Sequence, residues 1–335
     1  MRTGIKLKLT AALTVLLTSV CGVPSQAAPV CQVDGDLAKQ LKLPVYEWSD
    51  ADKPYKGTIV AVHGLTFYAA AFDDVATHLA EQGYRFIAMD LRGFGRWREE
   101  SNKFGGDDLI HFTQSREDLL RLVTLLRKQD SGAHIFAMGE SLGANLALQM
   151  VTDHPELCNG IILGSPCYKT RVHPNPRWVM DFVKGAQHPN KKLNLTPYIT
   201  PYLSNNRELT ASCLKDQRIC RSLSPVELVK AQKTNEQGIA NVDKLPQGFP
   251  VLVIAGEKDG VFKTSSLPEL LKKFSTKDMS VNILPNKGHL LIEHQSVQTE
   301  IASLLDSWLK NQTTTEEVVQ LVPGDSPSSA HPSQQ

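Results

Sequence analysis

Short apolar segments alternate with amphipathic segments along most of the chain. Gly57–Val62 is a run of small, apolar and β-branched residues, and comparable runs recur further along. Uninterrupted runs of this length are typical of parallel strands that are buried on both faces. We therefore predict a buried strand at residues 57–62, and further strands at residues 84–90, 134–139, 160–164, 250–255 and 280–284.

The segments between these runs have apolar residues three to four positions apart. In Ser115–Lys128, for example, Leu119, Leu122 and Leu126 share one helical face. Strands that alternate with helices predict an α/β fold, with a mostly parallel central sheet and helices on both faces. The predicted helices cover residues 72–82, 115–128, 142–152, 268–274 and 297–310.

The alternation stops between about residues 167 and 245. This segment contains prolines, polar runs and scattered aromatic residues, and no clean strand pattern. We predict a cap or lid insertion here. Because it follows one strand and precedes the next, it is expected above the carboxyl ends of the strands, where open α/β sheets bind ligands.

The first 27 residues predict a secretory signal peptide. A basic start is followed by the apolar run Leu9–Val20, and Ser25–Ala27 supplies small residues for a cleavage site. The protein is therefore expected to be periplasmic or secreted. Cys21 leaves lipid modification open as an alternative. Residues 28–310 then form the α/β domain, and residues 311–335, rich in Thr, Ser, Pro and Gln, a disordered tail.

Export implies an oxidising compartment, so the cysteines are candidates for pairing. We predict a disulfide between Cys213 and Cys220, which lie close together in a polar segment. The alternative is that the cysteines are small buried apolar residues. The cysteines that follow the signal peptide are Cys31, Cys158, Cys167, Cys213 and Cys220.

Composition narrows the function classes. The 335 residues carry a formal net charge of +1, which gives no electrostatic argument for a nucleic-acid partner. No cysteine and histidine cluster has zinc spacing and no glycine-rich phosphate loop is present, so we expect neither a metal nor a cofactor. The sequence makes no prediction of the oligomeric state.

One motif carries chemistry. Residues 139–143, Gly-Glu-Ser-Leu-Gly, match G-x-S-x-G and stand between a predicted strand and a predicted helix. That context is the one of a nucleophile elbow, in which glycines allow a tight turn and the serine hydroxyl projects above the sheet. Ser141 is therefore the candidate nucleophile, and a helix N-cap serine is the alternative.

A serine hydroxyl needs a base, and the base needs an acid that fixes its tautomer. His289 follows the last predicted strand, and Asp259 follows the strand before it, in the order Ser-Asp-His of α/β-hydrolases. His294 and Glu257 are the competing base and acid. The oxyanion hole is predicted at the backbone N–H groups of Leu65 and Leu142, with His63 ordering the first of these loops.

Together these motifs resemble the monoacylglycerol lipase and lysophospholipase group of α/β-hydrolases, which shares a domain type with the serine aminopeptidases. The resemblance covers about residues 45–310 and includes His63-Gly64, the elbow, Asp259 and Gly288-His289. It implies the α/β-hydrolase fold, esterase chemistry and a lid over an acyl site. One departure is Phe94, where the group often has histidine between two glycines.

The predicted cap is basic and partly apolar. Between Tyr168 and Leu245 there are 13 lysine and arginine residues against 6 aspartate and glutamate residues, a net charge of +7. Such a surface suits a lipid-like ester substrate or an anionic membrane surface, although a solvated cap whose aromatics pack on the core is the alternative. The predicted function is carboxylic-ester hydrolysis through an acyl-enzyme on Ser141. An aminopeptidase, an acyltransferase and a non-catalytic binding protein stay open.

Overall fold

The computed structural model describes residues 28–171, 187–293 and 299–314 of the chain. Its strands are β1 (Val30–Val33), β2 (Val45–Ser49), β3 (Gly57–Val62), β4 (Tyr84–Met89), β5 (Ile135–Glu140), β6 (Gly160–Gly164), β7 (Leu193–Asn194), β8 (Ser222–Leu223), β9 (Val251–Gly256) and β10 (Met279–Leu284). Eight of them form one sheet in the order β1-β2-β4-β3-β5-β6-β9-β10. Pairs from β4 to β10 are parallel, whereas β2 pairs antiparallel with β1 and β4. The predicted α/β class is confirmed.

Helices cover both faces of this sheet because its central strands expose apolar side chains on both sides. Val60 and Val62 pack into one core with Leu122 and Leu146, and Ile59 packs into a second core on the opposite face. The helices are α1 (Asp36–Leu41), α2 (Asp73–Glu81), α3 (Trp97–Glu100), α4 (Phe112–Gln129), α5 (Leu142–Asp153), α6 (Thr196–Leu203), α7 (Arg207–Lys215), α8 (Pro225–Gly238), α9 (Leu267–Leu271) and α10 (Thr299–Thr313).

The two strands β1 and β2 were not predicted. Both are short; β1 is the edge strand and is exposed along its whole length, and β2 lies beside it and is only partly buried. Neither strand therefore has the continuous apolar run that marks the central strands. The strands from β3 to β6 begin and end within a residue of their predicted bounds.

The segment predicted as a cap contains short helices and strands of its own, and also one longer helix that packs against the main domain. Helices α6 and α7 and the antiparallel pair β7–β8 belong to it, so it includes short strands that its sequence did not indicate. Helix α8 instead packs against α5, where Gly238 lies so close to Asn145 that a Cβ would come within 2.4 Å of its carbonyl oxygen. A capping box of Ser224 and Glu227 begins that helix.

The predicted disulfide between Cys213 and Cys220 is wrong, because both residues are free buried thiols. The two side chains belong to different apolar clusters. Cys213, on α7, packs with Phe67 and Tyr68, whereas the Sγ of Cys220 lies 3.5 Å from the carbonyl oxygen of Ser222. The alternative, that they are small buried apolar residues, describes both of them.

The two ends of the chain lie outside the described residues, so the signal peptide at residues 1–27 stays a prediction. The same holds for most of the predicted tail, although α10 extends to Thr313, beyond its predicted end at Lys310. Among the described residues, none of the helices has both the length and the apolar character that crossing a membrane requires.

Candidate active site

The strand–turn–helix motif forms a tight turn between β5 and α5. Ser141 stands alone between the two elements, with φ 56° and ψ −122°. A residue other than glycine adopts this region at a cost in energy, and such strain concentrates at functional sites. Added Cβ atoms at Gly139 and Gly143 would lie 2.4 Å from the Gly143 carbonyl carbon and 2.0 Å from the Val62 oxygen, so only glycine fits.

Ser141, His289 and Asp259 form one chain of hydrogen bonds. The Oγ of Ser141 lies 3.0 Å from Nε2 of His289, and Nδ1 of His289 lies 2.8 Å from Oδ2 of Asp259. The loops that follow β9 and β10 deliver the acid and the base to the carboxyl edge of the sheet. Of the competitors, Glu257 accepts a bond from the backbone N–H of Asn286 instead, and His294 lies outside the described residues.

Asp259 is an ionised, fixed acid. Its Oδ1 accepts hydrogen bonds from the backbone N–H groups of Val261 and Phe262, at 2.7 and 2.9 Å. Burial raises the pKa of Asp259. The charge of His289 and these hydrogen bonds lower it by more, so the net pKa of Asp259 lies below its ordinary value. The carboxylate therefore keeps its charge and holds the Nδ1 proton of His289.

His289 is held where a base is needed. Burial lowers the pKa of His289. The charge and hydrogen bond of Asp259, with a contribution from Glu140, raise it by more than burial lowers it. The net pKa of His289 lies above its ordinary value of 6.5. The Oγ of Ser165 also donates to the His289 carbonyl oxygen at 2.6 Å, which fixes the backbone of the loop.

The two predicted oxyanion donors belong to segments that adjoin the nucleophile. Leu142 is the first residue of α5, so its N–H has no acceptor within the helix. On the other side, a Cβ placed on Gly64 would lie 3.4 Å from Cβ of Ser141, which brings the loop after β3 against the elbow. The next N–H in that loop belongs to Leu65. The structure thus brings the loop that carries Leu65 against the turn that carries Leu142, and the oxyanion role of the two N–H groups stays a prediction.

His63 orients the loop that carries Leu65. Its Nε2 accepts from the N–H of Leu91 at 3.0 Å, so Nδ1 carries the proton and donates to the carbonyl oxygen of Gly64 at 2.8 Å. In a trans peptide the N–H points away from the C=O of the same unit. Fixing the Gly64 oxygen therefore fixes the direction of the Leu65 N–H. Burial lowers the pKa of His63 to about 4, so it stays neutral.

Several residues around the nucleophile had no signal in the sequence. The Sγ of Cys167 lies 3.6 Å from Oγ of Ser141, and Asn145 holds the Cys167 backbone through both its N–H and its C=O. Burial raises the pKa of the Cys167 thiol far above its ordinary value, so this sulfur is a neutral neighbour and not a second nucleophile. Glu140 and Glu293 are two further buried carboxyl groups near the triad.

A strained serine, a histidine bonded to it and a buried carboxylate, gathered at the carboxyl edge of a mostly parallel sheet, define a serine hydrolase of the α/β-hydrolase fold. Residues 53–295 match the family described as serine aminopeptidase, S33, and the chain belongs to this family.

Comparisons of sequence and of structure match known proteins over most of the chain. The human monoglyceride lipase is 23% identical, over 80% of this chain and 86% of its own length. A soluble variant of monoglyceride lipase from Saccharomyces cerevisiae, solved with a substrate analog, has a TM-score of 0.67 at 16% identity and covers 86% of this chain and 97% of its own. A monoacylglycerol lipase from Paleococcus ferrophilus has a TM-score of 0.63 at 19% identity and covers 81% and 99%.

Proposed function

We propose that this protein is a carboxylic-ester hydrolase that forms an acyl-enzyme on Ser141 and acts on monoacylglycerol-like or lysophospholipid-like esters. The observation that carries the reaction type is the continuous hydrogen-bonded chain from Ser141 through His289 to Asp259. The substrate class is supported by the similarity to monoglyceride lipases from human and yeast.

In the proposed reaction each step is assigned to one group. His289 accepts the proton of Ser141 as Oγ attacks the ester carbonyl carbon, and Asp259 stabilises the imidazolium that results. The N–H groups of Leu65 and Leu142 receive the oxyanion. His289 then gives its proton to the departing alcohol, and a water molecule, deprotonated by the same His289, hydrolyses the acyl-enzyme.

The cap is in contact with the loops of the site, as a lid is expected to be. Leu209 of α7 packs with Phe67 from the oxyanion loop and with Leu290, the neighbour of the base. The N–H of Leu290 also donates to the carbonyl oxygen of Leu203 at the end of α6. These contacts support a cap that lies against the oxyanion loop and the loop of the base.

Labelling with a fluorophosphonate probe and a substrate panel test this proposal. We expect covalent modification of Ser141 and hydrolysis of monoacylglycerols, lysophospholipids and p-nitrophenyl esters. A protein that is not labelled at Ser141 is a binding protein on this fold. Efficient cleavage of aminoacyl arylamides with little esterase activity indicates an aminopeptidase. Acyl transfer to added alcohols that outpaces hydrolysis indicates an acyltransferase.

Ester chain length is expected to control the specificity constant. Each methylene buried under the cap contributes on the order of 0.8 kcal/mol, so kcat/KM should rise by up to about fourfold per methylene until the pocket is full. A series of p-nitrophenyl esters from acetate to decanoate measures this rise. A maximum at acetate followed by a steady decline contradicts an acyl pocket beneath the cap.

The exposed basic residues of the cap support a further part of the proposal, contact with an anionic lipid surface. Lys191, Arg207 and Lys215 are all exposed. Hydrolysis of a monoacylglycerol in anionic vesicles is therefore expected to exceed hydrolysis in zwitterionic vesicles, and the difference should shrink as salt rises. Arg207→Gln should reduce the difference, whereas Lys128→Gln, at the far end of α4, should not. Equal rates on both vesicles exclude this contact.

Activity is expected to fall as the pH is lowered through the pKa of His289. The base must be neutral, and its pKa lies above 6.5, so the midpoint of kcat/KM is expected above pH 6.5 with full activity on the alkaline side. A pH profile with a soluble ester measures the midpoint. A flat profile between about pH 5 and 9, with chemistry limiting, contradicts a histidine base.

A further inference from the structure

Two carboxyl groups that the reaction does not use are buried beside the triad. Glu140 immediately precedes Ser141, and Glu293 lies four positions after His289. Both residues have a relative exposure of 0%. Buried carboxyl groups are costly unless they are paired, hydrogen-bonded or neutral, so the partners of each group decide whether it is charged.

Glu140 has the surroundings of a carboxylate. Its Oε1 accepts from the N–H of Leu291 at 2.6 Å, its Oε2 accepts from the N–H of Glu293 at 2.8 Å, and Ile292 adds a longer bond at 3.2 Å. Burial raises the pKa of Glu140, but several backbone donors and the charge of His289 act in the opposite direction and favour the charged form of this carboxyl group over that of Glu293, which has one donor. The side chain before the nucleophile thus ties down the loop after the base.

Glu293 has the surroundings of a neutral acid. Its Oε1 accepts one bond, at 2.6 Å, from the backbone N–H of Gly64, and its Oε2 has no hydrogen-bond partner among the described residues. Burial and the nearby Glu140 charge raise the pKa of Glu293 well above its ordinary value. Since a second charge here has only one donor to stabilise it, the proton of the pair belongs on Glu293.

The bond from Glu293 reaches the oxyanion loop. The N–H of Gly64 donates a hydrogen bond to Glu293, and the carbonyl oxygen of Gly64 accepts one from Nδ1 of His63. Both sides of this residue are therefore held. The next N–H along the chain is the predicted oxyanion donor of Leu65. Small rotations of the Gly64 peptides would therefore turn that donor away from the oxyanion, which forms only during the reaction.

We propose that Glu293 is a positioning residue for the oxyanion hole. As a neutral carboxylic acid it holds the Gly64 N–H and with it the direction of the Leu65 N–H, while ionised Glu140 fixes the loop that carries both Glu293 and His289. This proposal rests on the proposed ester hydrolysis, in which Leu65 receives the oxyanion.

The variants Glu293→Gln and Glu293→Met test it. Glutamine is neutral and its carbonyl oxygen accepts the same hydrogen bond from Gly64, so kcat should stay within about fivefold of the value for the unsubstituted protein. Methionine fills the space without accepting the bond, so kcat should fall at least tenfold while KM changes by less than about threefold, because the lost alignment matters only in the transition state. Melting temperatures and circular dichroism establish that each variant folds.

Glu140→Gln is the matched variant at the ionised position. Backbone N–H groups donate to both oxygens of Glu140, and in the glutamine variant one of these oxygens becomes an NH2 group, which cannot accept a hydrogen bond. Glu140→Gln should therefore lose far more kcat or melting temperature than Glu293→Gln. Equal losses in the two glutamine variants would show that Glu293 is charged as well and would overturn the assignment. An unchanged kcat in folded Glu293→Met, or a rise in KM alone, would overturn the positioning role.

A spectroscopic measurement keeps the proposal testable if Glu293→Met does not fold. Infrared difference spectra of the original protein and Glu293→Gln at neutral pH should show a carboxylic-acid C=O band that the variant lacks. The absence of this band would overturn the neutral acid. Because the band needs no turnover, it is also distinct from a failure of the proposed ester hydrolysis, which would appear as an original protein that cleaves no ester.

Discussion

Ser141→Ala is expected to lower kcat for ester hydrolysis by about 10⁴- to 10⁶-fold, the range seen when a triad nucleophile is removed. The reason is that alanine has no hydroxyl to receive the acyl chain and to lose its proton to His289. The fold should survive, because alanine removes one partly exposed oxygen and no packing. Steady-state kinetics on a p-nitrophenyl ester, with the melting temperature of the same preparation, measure both effects.

The thiol of Cys167 provides a stringent control, because its sulfur lies 3.6 Å from Oγ of Ser141. The raised pKa of that buried thiol keeps it protonated, so it should not replace the serine. The double variant with Cys167→Ala is therefore expected to match Ser141→Ala alone. Residual hydrolysis that disappears only in the double variant would show that the thiol acts as a nucleophile. Near-normal activity in folded Ser141→Ala would remove Ser141 from the mechanism.

The sequence predicted the central sheet because burial on both faces leaves a strong pattern. Strands such as β3 and β9 are buried along their full length, so every position is apolar or small. Strands β1 and β2 were missed because β1 is an exposed edge strand and β2, beside it, is only partly buried, so neither position imposes that pattern. In the cap, β7 and β8 are two residues each, too short for any periodicity to appear.

The three triad residues were accessible from sequence for a topological reason. In a parallel sheet the loops after successive strands gather at one edge, so a histidine after β10 and an aspartate after β9 were candidates before any contact was known. The nucleophile also has glycines that its tight turn requires. Ser141, Asp259 and His289 therefore combine local chemistry with a predictable position.

The groups around the triad were not accessible in this way. Glu293 contacts Gly64, which lies far away in sequence, and nothing in the neighbourhood of either residue indicates the other. The same holds for Cys167 and for the apolar clusters in which Cys213 and Cys220 are buried. Their close spacing in sequence did not indicate that the two free thiols belong to different clusters. Contacts of this kind depend on how loops from separate strands pack, which no local pattern records.

The second large loss of activity is expected when the acid of the triad, Asp259, becomes an amide. Asp259→Asn is expected to lower kcat by about 10⁴-fold, the loss typical when a triad acid becomes an amide. The orientation of the new amide is determined in advance. Two backbone N–H groups, those of Val261 and Phe262, converge on Oδ1, so the asparagine oxygen must stay there and its NH2 group must face His289.

An NH2 group at that position reverses the tautomer of the base. It donates to Nδ1 of His289, so the imidazole proton moves to Nε2, and Nε2 then cannot accept the proton of Ser141. Glu257→Gln makes the same chemical change in the same loop, on an exposed side chain that bonds the backbone of Asn286, and should alter kcat by less than about threefold. Steady-state kinetics rank the two variants, and imidazole ¹⁵N shifts report the tautomer. A larger loss in Glu257→Gln than in Asp259→Asn would assign the acid to Glu257, and an unchanged tautomer in Asp259→Asn would contradict the mechanism of the loss.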